Sequence, residues 1–259
     1  GLVGSEMCIR DRDRERVKRG HCLRRRLPKN SSGNAPKQGL ISETAEQKVE
    51  RMANALIVVD IQNDFLPGGA LAVAEGDAVV APVNALMPLF DTVVLTADWH
   101  PADHASFASE HPGKAPFETI EMPYGTQVLW PQHCVAGSEG AAFAAGLKTA
   151  LADAVIRKGR EKDCDSYSGF LAADRKTVTG LAGYLRERCV TDVFVCGLAT
   201  DFCVTWTALD AAAAGFKTAL IEDASRAIDT NGSLAAAYTA LSKAGVLRTT
   251  AAVVTKALS

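Results

Sequence analysis

Three residues that could carry out nucleophilic catalysis each follow a strongly apolar stretch of this chain. Asp60 follows LIVV, Lys158 follows AVIR, and Cys203 follows VFVCG and a short turn. A thiol near the start of a helix lies at the positive end of the helix dipole, which lowers its pKa and favours the thiolate. Free backbone N–H groups at that position could hold an oxyanion. The pattern indicates a cysteine nucleophile, although any one of these residues alone is more often structural.

A cysteine nucleophile needs a neighbour that takes up its proton and later returns it. Asp60 is one candidate, because an aspartate at the end of an apolar strand is desolvated and its pKa should rise. Lys158 is another, and it could also hold the thiolate and the aspartate in one charged network. The residues leave the choice between these two open.

A second group of residues has the composition of a metal site. Asp98, His100 and His104 lie within one heptapeptide, DWHPADH, and His133 follows about thirty residues later in WPQH. One carboxylate with two or three imidazoles and open positions for water suits Fe(II), Mn(II) or Zn(II). The spacing therefore predicts one divalent metal ion.

These residues must be positioned by the elements around them. Short runs rich in Val, Ile and Leu alternate with longer helical patterns, which is typical of a parallel sheet with helices on both faces. The predicted strands are 55–60, 92–97, 154–158, 193–197 and 217–221. The predicted helices are 77–90, 139–151, 178–188, 201–214 and 233–244. We predict a single three-layer α/β domain whose ligand binds beyond the carboxyl ends of the strands.

Charge divides the chain into two parts. Residues 1–51 contain 13 Lys and Arg against 7 Asp and Glu, and residues 52–259 contain 15 against 23. The first part combines a charge run with a polar Ser/Gly/Asn/Pro stretch, so we expect it to be disordered or non-native, with a start at Met52 and a folded domain over 52–259. A basic targeting or nucleic-acid-binding arm is the alternative for this part.

Composition also limits the partners of the folded part. An acidic body without a basic stripe argues against nucleic acid. No apolar run approaches the length that crosses a bilayer, and no signal peptide precedes the domain. Seven cysteines without paired short spacing do not form a disulfide framework. We expect a cytoplasmic protein, monomeric or homo-oligomeric, that acts on a small molecule without nucleic acid or membrane.

Five sequence blocks resemble those of one enzyme family. They are LIVVDIQNDFLPGGALAV, TADWHPADHASFAS, LWPQHCVAGSEGA, IRKGREKDCDSYSGF and GLATDFCVTWTALDA. In this order they are similar to the bacterial nicotinamidases of the isochorismatase-like hydrolase superfamily, which also deamidate pyrazinamide. The resemblance extends from residue 52 to about residue 230, nearly the whole predicted domain.

The resemblance implies a catalytic triad of Asp60, Lys158 and Cys203. It implies an oxyanion hole formed by the backbone N–H groups of Ala199 and Cys203, and a cis peptide bond between Leu198 and Ala199. The implied reaction is hydrolysis of nicotinamide to nicotinate and ammonia through a thioester. This reaction would serve pyridine nucleotide salvage and NAD biosynthesis.

The resemblance also implies the residues that bind the metal ion and the substrate. Asp98, His100 and His133 would be metal ligands, and His104 would be a fourth ligand or a neighbour of the ligands. The metal would be zinc, iron or manganese, and it would bind the ring nitrogen of the aromatic amide. The aromatic pocket walls would be Phe65, Trp130 and Tyr167. Phe202 occupies a position that varies within the family.

Two other functions are compatible with parts of this pattern, and a third is not. A metal-free relative, such as an isochorismatase or an N-carbamoyl amidase, would keep the triad or part of it without holding the three metal ligands together. A non-catalytic small-molecule binder could use the same scaffold. A dinucleotide enzyme is set aside, because no GxGxxG follows the first strand.

Overall fold

Apolar β-rich segments form the centre of the fold, a parallel sheet of six strands. The computed structural model describes residues 53–259; the predicted disordered or non-native segment 1–51 and the predicted start at Met52 lie outside that range. The strands are β1 (Ala53–Val59), β2 (Thr92–Asp98), β5 (Ala154–Lys158), β6 (Val190–Leu198), β7 (Lys217–Arg226) and β8 (Leu247–Thr249). Their order across the sheet is β5-β2-β1-β6-β7-β8. A separate antiparallel hairpin pairs β3 (Thr119–Met122) with β4 (Gly125–Val128).

Within residues 53–259, five α-helices accompany the sheet. They are α1 (Val80–Leu86), α2 (Leu181–Glu187), α3 (Thr205–Ala213), α4 (Ser233–Lys243) and α5 (Ala251–Leu258). Among residues 53–259, no helix has the length and apolar character needed to span a membrane.

Alternate side chains of β1 point into two different apolar cores. Leu56 and Val58 belong to the core that contains α1 and α5, whereas Ala55, Ile57 and Val59 belong to the core that contains α2, α3 and α4. Because both faces of the strand are covered, nearly every residue of β1 is buried. Each fully buried Val, Leu or Ile stabilises the fold by about 1.5–3 kcal/mol. The predicted α/β fold, a parallel sheet with helices on both faces, is confirmed.

One predicted helix is wrong and several elements were not predicted. Residues 139–151 form turns and a short 3-10 helix rather than an α-helix. The backbone groups of Gly140, Ala142 and Ala144 pair with the segment that follows β1, so they are unavailable for helical hydrogen bonds. The β3–β4 hairpin, β8 and α5 were missed, and the predicted helix 77–90 is broken into two 3-10 turns around α1.

The strand order changes direction between β1 and β6. From β1 the chain builds outward through β2 to β5, then returns to β6 beside β1 and continues to β7 and β8. In open parallel sheets, ligands bind at the carboxyl ends of the strands near such a reversal. Gly197 lies at this point with a φ of 117°, and a Cβ there would lie 2.1 Å from the carbonyl oxygen of Val59. Only glycine permits the two strands to approach so closely.

Candidate active site

The ammonium group of Lys158 links the three residues that the sequence singled out for nucleophilic chemistry. Its Nζ lies 2.8 Å from Asp60 Oδ2 and 3.4 Å from Cys203 Sγ. It also lies 2.5 Å from Asp98 Oδ1. All four residues are buried. The structure therefore brings the predicted triad together and joins it directly to the predicted metal site.

Strand register explains this meeting of distant residues. Lys158 is the last residue of β5 and pairs directly with Asp98, the last residue of β2. Asp60 follows β1, the neighbour of β2 on the other side, and Cys203 follows the end of β6. Four adjacent parallel strands thus deliver their side chains to one edge of the sheet.

Asp60 has the surroundings of a proton acceptor. Its Oδ1 accepts a hydrogen bond of 2.6 Å from Thr96 Oγ1. Its Oδ2 is engaged by the Lys158 ion pair and makes no well-aligned hydrogen bond with any other residue of the described range. Complete burial raises the pKa of Asp60 to about 6, against the opposing effect of Lys158. Asp60 is therefore largely ionised at neutral pH but protonates readily.

Cys203 lies in a π-helical turn, Thr200–Val204, that leads from β6 into α3. The implied cis peptide bond between Leu198 and Ala199 is present at the start of this turn. The prediction of a lowered thiol pKa is wrong. Burial raises the pKa of Cys203 well above its ordinary value, and Lys158 offsets this only in part because Asp60 and Asp98 are also close. The resting Cys203 side chain is a thiol, so acting as a nucleophile would require it to lose its proton.

Beside the triad, Asp98, His100 and His133 form a second buried group. Their potential ligand atoms all lie within 4.8 Å of one another. The Nε2 atoms of His100 and His133 are 3.7 and 3.9 Å from Asp98 Oδ2. Burial by itself would raise the pKa of Asp98, but Lys158 and His100 outweigh it and keep that pKa well below its ordinary range. Asp98 therefore presents a carboxylate to any bound cation.

The histidine hydrogen bonds test whether these residues fit a metal ion. His100 Nδ1 lies 2.8 Å from the carbonyl oxygen of Gly159, and His133 Nδ1 lies 2.8 Å from that of Pro131. A carbonyl oxygen only accepts hydrogen bonds, so each Nδ1 carries a proton, and in the neutral imidazole each Nε2 keeps its lone pair. Both lone pairs face Asp98, as in metal sites where a carbonyl fixes the histidine tautomer. The donor set fits a divalent metal ion.

His104 is bound differently from the other two histidines. The backbone N–H of Ser106 donates to its Nδ1 at 3.2 Å, and Ser106 Oγ lies 2.7 Å from the same atom. Nδ1 therefore accepts, which leaves the proton on Nε2. That Nε2 is buried and has no hydrogen-bond partner among residues 53–259. This tautomer suits a donor to a molecule beside the metal better than a fourth ligand.

Gly159 supports a prediction about the histidine that it positions. A Cβ at Gly159 would lie 2.3 Å from Cε1 of His100, and the glycine has a φ of 63°. We expect Gly159→Ala to displace the His100 ring and to lower metal affinity by about 10- to 100-fold, the usual effect of losing a partner of a ligand histidine. Metal content after dialysis against graded chelator concentrations measures this. Gly113→Ala is the control, since a Cβ at Gly113 meets nothing within 4 Å; equal metal retention in both variants would contradict the role of Gly159.

A small pocket opens above the thiol, and the predicted aromatic walls surround it. Phe65, Trp130 and Tyr167 line it together with Cys203. The Tyr167 hydroxyl accepts a hydrogen bond of 3.0 Å from Trp130 Nε1, which holds the two rings edge to face. Flat apolar walls with a thiol at the base suit a planar aromatic ligand.

Sequence reasoning missed several residues of this pocket. Leu71, Asp165 and Ile228 line it, as does Phe202, whose role the sequence left undecided. Thr96, which lies outside the pocket and donates a hydrogen bond to Asp60, could have been found, since it precedes Asp98 by two positions and so lies on the same face of β2. Ile228 follows no strand directly and belongs to a loop, so no local signal marked it.

Comparison with known proteins agrees with this geometry. The family model described as the isochorismatase domain matches residues 54–253. The chain belongs to the isochorismatase family, the class that its parallel sheet and its buried Asp, Lys and Cys side chains define.

Several of its relatives within that family are nicotinamidases. The chain is 55% identical over 194 residues to the nicotinamidase of Acinetobacter baylyi, covering 75% of this chain and 91% of that protein. A solved nicotinamidase/pyrazinamidase structure from Acinetobacter baumanii is 54% identical with a TM-score of 0.77, covering 78% of this chain and 97% of that one. The pyrazinamidase of Pyrococcus horikoshii, solved in complex with zinc, is 37% identical with a TM-score of 0.62. The match covers 76% of this chain and 99% of that one.

Proposed function

We propose that this chain is an amidohydrolase that converts nicotinamide to nicotinate and ammonia through a thioester on Cys203. The observation that carries the proposal is the single Lys158 ammonium in contact with Asp60, Asp98 and Cys203. This contact supports a nucleophile and a proton acceptor that act beside a metal-binding group, under a pocket with aromatic walls. The family membership and the identity to nicotinamidases support the same reaction.

The first half of the reaction forms the thioester. Cys203 Sγ attacks the amide carbon while its proton passes to Asp60, a carboxylate oxygen of which lies within 4.8 Å of the sulfur. The N–H groups of Ala199 and Cys203 hold the oxygen as it becomes negative. Asp60 then gives its proton to the departing nitrogen, the C–N bond breaks and ammonia leaves. Lys158 stays positively charged throughout, because the carboxylates beside it keep its pKa well above its ordinary value despite burial.

The second half restores the thiol. A water molecule gives a proton to Asp60 and attacks the thioester carbon, with the same N–H groups holding the oxyanion. The C–S bond breaks, Cys203 recovers its proton and nicotinate is released. Over the two halves, one amide and one water become one acid and one ammonia.

Phe65, Trp130 and Tyr167 would bind the flat pyridine ring and set its carboxamide over Cys203. A divalent zinc, iron or manganese ion held by Asp98, His100 and His133 would supply a Lewis acid for the ring nitrogen. Pyrazinamide carries a nitrogen at the equivalent ring position, so we expect it to be a substrate as well.

The decisive assay measures ammonia release from nicotinamide by purified protein, with and without chelator. We expect turnover that a chelator abolishes and that added Zn²⁺, Fe²⁺ or Mn²⁺ restores. Benzamide, which has no ring nitrogen, is the matched poor substrate. Turnover that survives complete metal removal would favour a metal-free relative, and no ammonia release with any of the three metals would favour a non-catalytic binder.

The pKa of Asp60 predicts an acid limb in the activity profile. Only the ionised carboxylate accepts the thiol proton, and the protonated form accumulates as the pH falls through about 6. We expect kcat/KM to be level above this value and to fall about tenfold per pH unit below it. Initial rates from pH 4.5 to 8.5 at constant ionic strength and saturating metal measure the limb. A profile that stays level down to pH 5 would contradict the role of Asp60.

A further inference from the structure

We propose that Asp201 is the positioning residue that fixes Ile228 as a wall of the substrate pocket and thereby sets which ring sizes the pocket accepts. The proposal rests on the proposed function, since it concerns the selectivity of the same site. Asp201 has no part in the chemistry described above.

Asp201 holds a loop by three hydrogen bonds. Its Oδ1 accepts from the backbone N–H of Ile228 at 3.0 Å, and its Oδ2 accepts from that of Asp229 at 2.8 Å. Ser233 Oγ donates to the same Oδ2 at 2.5 Å. The partners lie 27 to 32 residues away along the chain. These bonds tie the segment between β7 and α4 to the turn that contains the nucleophile.

The surroundings of Asp201 are unusual for a carboxylate. It is 7% exposed, and no ion pair joins it to a cationic side chain within residues 53–259. A buried carboxylate without a counter-ion depends on its hydrogen-bond donors for stabilisation. All three donors given above come from the loop and from the first residue of α4. The carboxylate and the loop therefore hold each other in place.

The three hydrogen bonds that Asp201 accepts from Ile228, Asp229 and Ser233, called the clamp below, act directly on the pocket. Asp201 and Cys203 share the π-helical turn Thr200–Val204, and Ile228 lines the pocket with Phe202 and Cys203. Holding the Ile228 backbone at Asp201 fixes the distance between this apolar wall and the nucleophile. A wall fixed in this way excludes rings that carry extra substituents. To make room for them, Ile228 would have to move away and break its hydrogen bond to Asp201.

Asp201→Asn should release the wall while keeping the size of the side chain. An asparagine amide has one acceptor oxygen and one NH₂ group, so in either orientation its NH₂ meets an N–H donor of the loop. We expect KM for nicotinamide to rise about tenfold while kcat changes less than about threefold, since loss of wall contacts weakens ground-state and transition-state binding alike. For a set of ring-methylated nicotinamides, we expect kcat/KM relative to nicotinamide to rise at least about fivefold.

Matched variants separate this role from a general loss of stability. Asp210→Asn removes another buried carboxylate, on α3, which is paired with Arg175 at 2.5 and 3.0 Å and does not line the pocket. It should lower the melting temperature without changing KM or selectivity. Ser233→Ala removes one of the three donors and should give an intermediate effect. Ile228→Ala removes the wall itself and should reproduce the change in selectivity.

The proposal is overturned if Asp201→Asn folds and keeps the wild-type KM and selectivity. It is also overturned if Ile228→Ala leaves selectivity unchanged, a result that can be obtained even if Asp201→Asn does not fold. Wild-type protein that releases no ammonia from nicotinamide would contradict the proposed function instead. In that case, the Kd of nicotinate, measured by tryptophan fluorescence, still tests the clamp: a Kd equal in wild type and Asp201→Asn overturns it, and a weaker Kd in the variant supports it.

Discussion

Cys203→Ala is expected to lower kcat/KM for nicotinamide by about 10⁵-fold, the scale on which removing a covalent nucleophile acts. Without the sulfur no thioester can form, and Asp60 has no thiol proton to accept. The change removes one buried sulfur beside Lys158 and leaves the Asp60 and Asp98 ion pairs with that lysine in place. The fold and the metal content should therefore be retained. Stopped ammonia assays, metal analysis and thermal unfolding measure the three properties.

Cys189→Ala serves as the control for Cys203→Ala. Cys189 is exposed and precedes β6, at the end of the strand opposite to the pocket. The Cys189→Ala variant should retain wild-type turnover. If the activity of Cys203→Ala were within tenfold of wild type, the thioester mechanism would be contradicted. Hydrolysis would then be attributed to the group formed by Asp98, His100 and His133.

Asp60→Asn is expected to lower kcat/KM by about 10³-fold, within the range for loss of a general acid and base. The asparagine can turn its oxygen to Lys158 and its NH₂ to Thr96 Oγ1, the partners of the aspartate. The thiol then has no acceptor for its proton. The acid limb near pH 6 should disappear from whatever activity remains, which kcat/KM measured from pH 5 to 9 would show.

The stability of Asp60→Asn should show whether its low activity comes from lost proton transfer or from misfolding. A folded-state pKa of about 6, raised from the ordinary 3.8, means that Asp60 favours the fold most below pH 3.8 and loses this contribution as pH rises through 6. At pH 8, Asp60→Asn should therefore be at least as stable as wild type. Lys158→Met is the contrasting variant, because it leaves two buried carboxylates without their cation and should cost about 3–5 kcal/mol. A large loss of stability in Asp60→Asn would attribute its inactivity to misfolding.

The sequence predicted the sheet and most of the site because their signals are local. Short runs rich in apolar residues mark strands, and a polar residue directly after such a run lies at a strand end. Asp60, Lys158 and Asp98 were found in this way. The segment 139–151 was predicted as a helix because its alanine-rich pattern is also local. Its backbone instead pairs with the segment after β1, a partner about eighty residues away that no local pattern could indicate.

By itself, the sequence determined which elements form and which reactive residues end them, since hydrophobic periodicity acts over a few neighbouring residues. Only the tertiary structure decided the protonation of the site. Burial and two nearby carboxylates keep Cys203 as a thiol, and hydrogen bonds to Gly159, Pro131 and Ser106 fix which nitrogen of each histidine is free. The clamp on Ile228 likewise depends on a hydrogen bond that spans 27 residues. Such contacts arise from strand order and loop packing. Both depend on interactions between distant segments of the chain, so no single segment predicts them.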